Sequence, residues 1–250
     1  SGKKIEQELD SIKNILVIKI RGAVDLVITT PFLRNLKSFL PQTNIHLLVT
    51  EGCDLLLENN SHIKSIFKID HGCNKHLLNK ILPKLKNLKI DLAINLDSTS
   101  RTSQLLKKIP SKRKIDRSYF FRDKNTDVLV GFTNTYRSII EREFDILRAI
   151  GLKPIDKHTE IFLNKKEIDW AKSFFTKNGL SSNKKTIIVA ASSSLKIRDW
   201  GIENFTLLCE NLIREDDVQI IINATPNEIT QISPIVNLSS NICVFSGSLR

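Results

Sequence analysis

Asn14 to Leu33 read NILVIKIRGAVDLVITTPFL, and this stretch decides the fold. Ile15 to Ile20 form an apolar run broken only by Lys19. Arg21 to Asp25 form a short polar turn, and Leu26, Leu33, Leu36 and Leu40 then recur at helix-like spacing. Strand, tight turn and helix make the opening unit of a doubly wound α/β domain. In such sheets ligands bind outside the carboxyl ends of the strands. Arg21 and Asp25 are therefore expected in a crevice.

The first half extends this pattern. Ile45 to Val49 and Ile63 to Ile69 read as strands, with a short helix expected over residues 51–59. Lys75 to Leu88 is amphipathic and helical, and Pro83 is expected to kink or end it. Ile90 to Leu96 is a further strand, so Asp97 to Arg101 should line the same crevice as Arg21. Strands alternating with helices at this spacing imply a mostly parallel sheet covered on both faces. Residues 101–122 are rich in Lys and Arg, with Asp116 the only acid. They read as a solvated helix face and loop. A nucleic-acid stripe is the alternative, but aromatic residues are confined to Tyr119, Phe120 and Phe121, and no nucleic acid is expected. Arg137 to Leu152 is a helix closed by Gly151, with Pro154 beyond it.

The polar segment Lys153 to Thr159 suggests a boundary between domains 1–158 and 159–250. Beyond it, Lys166 to Lys177 is helical and Thr186 to Ala191 reads as a buried strand. A serine-rich turn runs from Ser192 to Trp200, before a helix over Ile202 to Ile213. Val218 to Ile222 and Ile242 to Phe245 are strands, with a helix starting near Asn227 between them. The expectation is two Rossmann-like domains in tandem, facing each other across a cleft. The second is expected to be incomplete at its carboxyl end.

Charge is unevenly spread. Residues 1–170 hold 30 Lys and Arg against 20 Asp and Glu, whereas residues 171–250 hold 8 against 7. The excess points to an anionic partner for the first half, or serves solubility. No apolar run reaches the length of a membrane span. Cys53, Cys73, Cys209 and Cys243 form no CxxC pair, which fits a reducing cytoplasm better than a disulfide or zinc framework. The chain contains no methionine.

Two turns carry candidate chemistry. Asp25 precedes a helix, so it is either an N-cap or a general base at the crevice. Arg21 is either its ion-pair neighbour or an anchor for an acidic group. In the second turn, Ser193, Ser194, Lys196 and Arg198 could hold a diphosphate ahead of a helix N-terminus, or form an ordinary polar loop. There is no GxGxxG, no GxxxxGK[ST] and no metal-ligand pattern, so no cofactor and no metal are expected.

Taken together, the residues resemble the bacterial ADP-heptose:lipopolysaccharide heptosyltransferases, glycosyltransferase family 9. The family pattern of strand, Arg-x-x-Gly-Asp, apolar pair, Thr-Thr-Pro and Leu is read here from Arg21 through Asp25, Thr29, Thr30 and Pro31 to Leu33. Ser193, Ser194, Arg198 and Trp200 match a second-domain turn, and the helix from Glu143 to Gly151 is a further landmark. The resemblance implies a two-domain GT-B fold and an inverting transfer of heptose from ADP-heptose to the inner core of lipopolysaccharide. It makes Asp25 the base and places the donor's phosphates on Ser193, Ser194, Lys196 and Arg198. Arg21, Arg101, Lys112, Arg113 and Lys114 are then expected to hold the anionic acceptor. The implied location is cytoplasmic, peripheral at the inner face of the cytoplasmic membrane. The chain departs from the pattern at Val24, which replaces a glycine, at Arg198, which replaces a lysine, and in lacking the family's Asp-Ser/Thr-Gly-x-x-His donor motif. These departures leave open another nucleotide-sugar donor or a member without catalysis.

Overall fold

The computed structural model describes residues 2–70, 75–97, 99–117, 126–131, 136–192, 196–215 and 217–246. It divides into two compact units, residues 1–162 and 163–250. In the first, helix α1 (Gly2–Glu8) leads into β1 (Asn14–Lys19), α2 (Ala23–Phe39), β2 (Asn44–Thr50) and β3 (Ser65–Ile69). Next come α3 (Lys75–Asn87), β4 (Ile90–Asn95), α4 (Ser100–Lys108), β5 (Ser111–Asp116), β6 (Val128–Leu129) and α5 (Ile139–Arg148).

The six strands are all parallel in the order β3-β2-β1-β4-β5-β6. The order reverses between β1 and β4, and that switch point is where doubly wound sheets bind ligands. Period-two alternation in β1 sends Ile15 and Val17 to one face and Leu16 and Ile18 to the other. The first face is covered by α1, α2 and α5 through Ile5, Phe32, Leu36, Phe144 and Leu147. The second is covered by α3 and α4 through Ile81, Leu85, Leu105 and Leu106. A strand buried on both faces must be apolar throughout, which is why β1 and β4 read so clearly.

Several local expectations change. The helix α2 begins at Ala23, with Gly22 as its N-cap, so Asp25 lies inside the first turn and is not the cap. Residues 51–59 hold only a single 3-10 turn, Asp54–Leu57. Helix α3 continues through Pro83 to Asn87. The basic segment after residue 100 is helix and then strand, not helix and loop. In β5, the sequence SKRKID hides the strand because its charges are ion-paired or reach the rim.

The extended segment that closes the first unit is pinned along α2. Asn35, itself buried, accepts from the Ile155 backbone N–H at 3.1 Å and donates to the Asp156 carbonyl at 2.7 Å. Thr30 Oγ1 accepts from the Glu160 N–H at 3.0 Å, and Arg34 pairs with Asp156 and Glu160 at 2.9 and 2.7 Å. These bonds satisfy backbone that has no sheet partner.

The second unit contains α6 (Lys165–Lys177), β7 (Lys185–Val189), α7 (Ile202–Leu212), β8 (Val218–Asn223), α8 (Ser233–Val236) and β9 (Ile242–Phe245). Its parallel sheet has the order β7-β8-β9. Asn164 and Glu167 form a capping box that starts α6. The helix expected near Asn227 is a 3-10 turn, Pro226–Glu228, followed by the short α8. The expected buried strand β7 is only half covered: Val189 is buried, whereas Ile188 is exposed. Beside it Trp170 stacks on Phe174 and Phe245 meets both edge to face, with centroids 5.5 to 5.8 Å apart.

Candidate functional site

At the switch point the carboxyl ends of β1 and β4 open a cleft of about 320 Å³. Ile20, Arg21, Thr99, Ser100, Arg101 and Thr102 line it. One wall is the turn after β1, and the other is the N-cap and first turn of α4. Thr99 N-caps that helix, its hydroxyl accepting from the Thr102 N–H at 3.2 Å. Arg101 follows on the same turn and is exposed. The combination of a helix N-terminus and two guanidinium groups gives the cleft positive character suited to an anionic group.

Asp97 builds the floor. Its carboxylate accepts from the Ile20 N–H at 2.7 Å and from Arg21 Nε at 3.2 Å. Its own N–H donates to Asn95 Oδ1 at 3.1 Å. Asn95 Nδ2 in turn donates to Asp116 Oδ1 at 2.7 Å, linking the ends of β4 and β5. Asp97 therefore orients Arg21, whose side chain remains 47% exposed beside the cleft.

Behind this floor lies a buried ion pair. Lys19 Nζ donates to Glu143 Oε1 at 2.7 Å and lies 3.8 Å from Asp97 Oδ1. Thr29 Oγ1 is 3.1 Å from the same Glu143 oxygen and 2.9 Å from the Asp25 carbonyl. Burial pushes the Glu143 carboxyl above its usual range; Lys19, Thr29 and Arg117 pull it back. Its Oε2 is buried without a partner. Lys19 and Glu143 escaped the sequence-based site, whereas Asp97 was expected in the crevice and lies at its floor. The legible signal was Lys19 itself, since a lysine inside an apolar strand needs a buried counter-charge.

Asp25 sits one turn before Thr29, half-buried, at the carboxyl end of β1. Among the described residues, no hydrogen bond or ion pair engages its carboxylate; only its backbone carbonyl is used. A carboxylate with open lone pairs, near the N-terminus of a 17-residue helix, can accept a proton from a bound hydroxyl. Val24 beside it is 71% exposed.

The structure brings Arg21, Asp25 and Arg101 to this end of the sheet. It does not bring Lys112, Arg113 or Lys114. These occupy β5 ahead of its last two residues, where Leu92 pairs with Arg113 and Ala93 with Lys114. From Lys112 to Asp116 at the carboxyl end is roughly 13 Å of strand. Lys112 pairs with Asp91 at 2.7 Å, and Arg113 with Glu8 and Asp127 at 2.7 and 3.2 Å. Lys114 Nζ donates to the Lys107 carbonyl at 2.9 Å. Strand pairing thus assigns these three to holding the sheet and its helices together.

In the second unit, Ser193 and Ser194 lie outside the described residues. Lys196–Arg198 form a 3-10 turn after β7, and both basic side chains are exposed. Gly201 N-caps α7 at φ +92°, a conformation that favours glycine, and its N–H donates to Asp199 Oδ1 at 3.0 Å. Trp200 packs edge-on against Phe205 at 5.1 Å. No side chain caps the start of α7. Among the described residues no group of His, Cys, Asp and Glu is arranged to hold a metal. No described helix is long and apolar enough to cross a membrane, and Cys53, Cys209 and Cys243 are free thiols.

Comparison with known proteins meets the resemblance in the sequence. No protein-family model matches the chain. Lipopolysaccharide heptosyltransferase 3 of Escherichia coli strain K12 is 22% identical over 214 residues, which are 81% of this chain and 60% of that protein. The chain therefore spans about three fifths of the length of that curated relative. The glycosyl transferase family 9 structure from Veillonella parvula DSM 2008 superimposes with a TM-score of 0.84 at 22% identity, over 97% of this chain and 71% of that one. The E. coli heptosyltransferase WaaC with ADP-2-deoxy-2-fluoro heptose gives 0.72 at 12% identity, over 94% and 77%. The chain has the GT-B fold of these glycosyltransferases.

Proposed function

We propose that this chain is a glycosyltransferase that moves heptose from ADP-heptose to the inner core of lipopolysaccharide, inverting the transferred carbon and using no metal. Asp25 takes the proton of the attacking acceptor hydroxyl. That oxygen bonds to the anomeric carbon as the bond from this carbon to the β-phosphate oxygen breaks, and ADP leaves with the electron pair. A single displacement of this kind inverts the anomeric centre. Arg21 and Arg101 hold anionic groups of the acceptor, each as a guanidinium fork. Lys196 and Arg198, with Ser193 and Ser194, receive the departing diphosphate, where positive charge counts most as the bond breaks. The enzyme works peripherally, at the inner face of the cytoplasmic membrane.

The observation that carries this reading is the open carboxylate of Asp25 at the switch-point end of β1, in a chain similar to a lipopolysaccharide heptosyltransferase. The test is incubation of the protein with ADP-heptose and heptose-deficient lipopolysaccharide, following ADP release and the mass of the acceptor. Transfer that survives a chelator is expected. Absence of transfer overturns the activity, and loss of transfer on chelation overturns the metal-free route.

A further inference from the structure

The first unit's positive charge is sorted by face. Residues 75–90 and 99–114, which include α3 and α4, contain no Asp or Glu. Both helices cover the same side of the sheet. Lys80, Lys84, Lys86 and Lys89 on and after α3, and Lys107 and Lys108 at the end of α4, are all exposed. Among the described residues, no carboxylate pairs with Lys80, Lys84, Lys86, Lys89 or Lys108. Of the strand acids on this side, Asp91 already holds Lys112 and Asp116 is buried against Asn95. The opposite side is different. There α1, α2 and α5 mix signs, and Glu8, Glu141 and Asp145 are paired with Arg113, Arg137 and Arg148.

We propose that the lysine face formed by α3 and α4 is the surface by which this protein lies on an anionic phospholipid bilayer. Exposed lysines clustered on amphipathic helices gain from the negative potential of anionic lipid headgroups. The contact is electrostatic and not inserted, because the apolar stripe of α3, with Ile81 and Leu85, is consumed by the core. A bilayer fits these residues better than a nucleic acid. Residues 75–114 contain no Phe, Tyr or Trp on which bases could stack. Lysine is also a hydrated point charge that meets a diffuse field of headgroups, without the fork geometry of arginine. Ser100 to Thr102, which line the cleft, start α4, and Lys107 and Lys108 end it about 12 Å further along the helix. The choice of a membrane as partner rests on the proposed lipopolysaccharide acceptor, although the surface can be tested without sugar transfer.

The experiment is sedimentation with vesicles of phosphatidylethanolamine and phosphatidylglycerol at low salt, beside vesicles of phosphatidylcholine alone. The wild-type chain is expected to bind the anionic vesicles and to be released as salt is raised. Each lysine near such a surface contributes about five-fold to the partition. The Lys80→Gln, Lys84→Gln, Lys86→Gln, Lys89→Gln variant should therefore fall by more than ten-fold. Lys107→Gln with Lys108→Gln, a second variant in case the first does not fold, should fall by about 25-fold. Lys3→Gln with Lys4→Gln, on the opposite side, should bind within about two-fold of wild type, because screened charges facing away contribute little. Equal loss in all variants, unchanged binding by the folded α3 and α4 variants, or equal binding to phosphatidylcholine overturns the proposal. Tighter binding to duplex DNA than to vesicles assigns the face to nucleic acid and overturns it too. Vesicle binding without sugar transfer leaves the surface standing and removes the heptosyltransferase reading.

Discussion

Lys19 Nζ lies 2.7 Å from Glu143 Oε1, and both side chains are sealed from water. The pair joins the last residue of β1 to α5 across 124 residues of sequence. Through Thr29 and Asp97 it also braces the two turns that form the cleft.

Lys19→Met should destabilise the protein by about 3 kcal/mol, because it leaves a carboxyl buried without its counter-charge. The loss should depend on pH. Burial already holds the folded Glu143 above its unfolded range, so its folded form favours the proton. A raised acid loses stability as pH climbs from the unfolded pKa through the folded one. Urea denaturation should therefore show a larger deficit for Lys19→Met at pH 8 than at pH 5. The double variant Lys19→Met, Glu143→Leu should regain most of the loss. A deficit that is flat with pH would contradict this account.

Asp97→Ala should cost about 2 kcal/mol by leaving the Ile20 N–H buried without an acceptor. It also frees Arg21 from its 3.2 Å contact. Thermal denaturation measures the first effect. Acceptor titrations should show the second as a raised KM with a smaller change in kcat, and equal falls in both would argue against orientation of Arg21.

For Asp25→Asn, stability and activity should separate. The residue lies in the first turn of α2 and, among the described residues, no hydrogen bond or ion pair engages its carboxylate, so only a helix-dipole contribution of about 0.5 kcal/mol is lost. Removing a general base should lower kcat by about 100-fold or more. A wild-type transfer rate in this variant removes Asp25 as the base.

Glu141 is held down to about 2 by Lys157 first, with Arg148 and Arg137 adding to it. Its folded pKa is depressed, so its contribution is present above the unfolded carboxylate value of 4.5 and lost as pH falls toward 2. Discounted for solvent screening, Glu141→Gln should cost about 0.5 to 1 kcal/mol at pH 7. The difference from wild type should vanish near pH 2. Melting curves at pH 7, 4 and 2.5 check this, and a difference independent of pH would refute it.

Most of the sheet was legible because β1, β2 and β4 are buried on both faces and must be apolar. Helix α5 announced its end through Gly151, whose φ of +85° suits glycine. The strand β5 was not legible, since SKRKID carries its charges into ion pairs with residues far away in sequence. Asp25 and Arg21 could be placed at a strand end from the chain alone. Whether Asp25 capped its helix could not, because the cap depends on where α2 starts, and that is Gly22.

The sequence by itself determined the order of most strands and helices, β5 and β6 excepted, and the placement of Arg21, Asp25 and Arg101 at strand ends, because period-two and period-3.6 patterns are local properties. Only the tertiary structure decided what each charge faces. It turned Lys19 inward to Glu143, tied Arg21 to Asp97, spent Lys112 and Arg113 on Asp91 and Glu8, and left Lys80, Lys84 and Lys86 of α3 and Lys107 and Lys108 of α4 toward solvent. Such pairings join residues brought together by the crossovers of the sheet, and no local pattern encodes them.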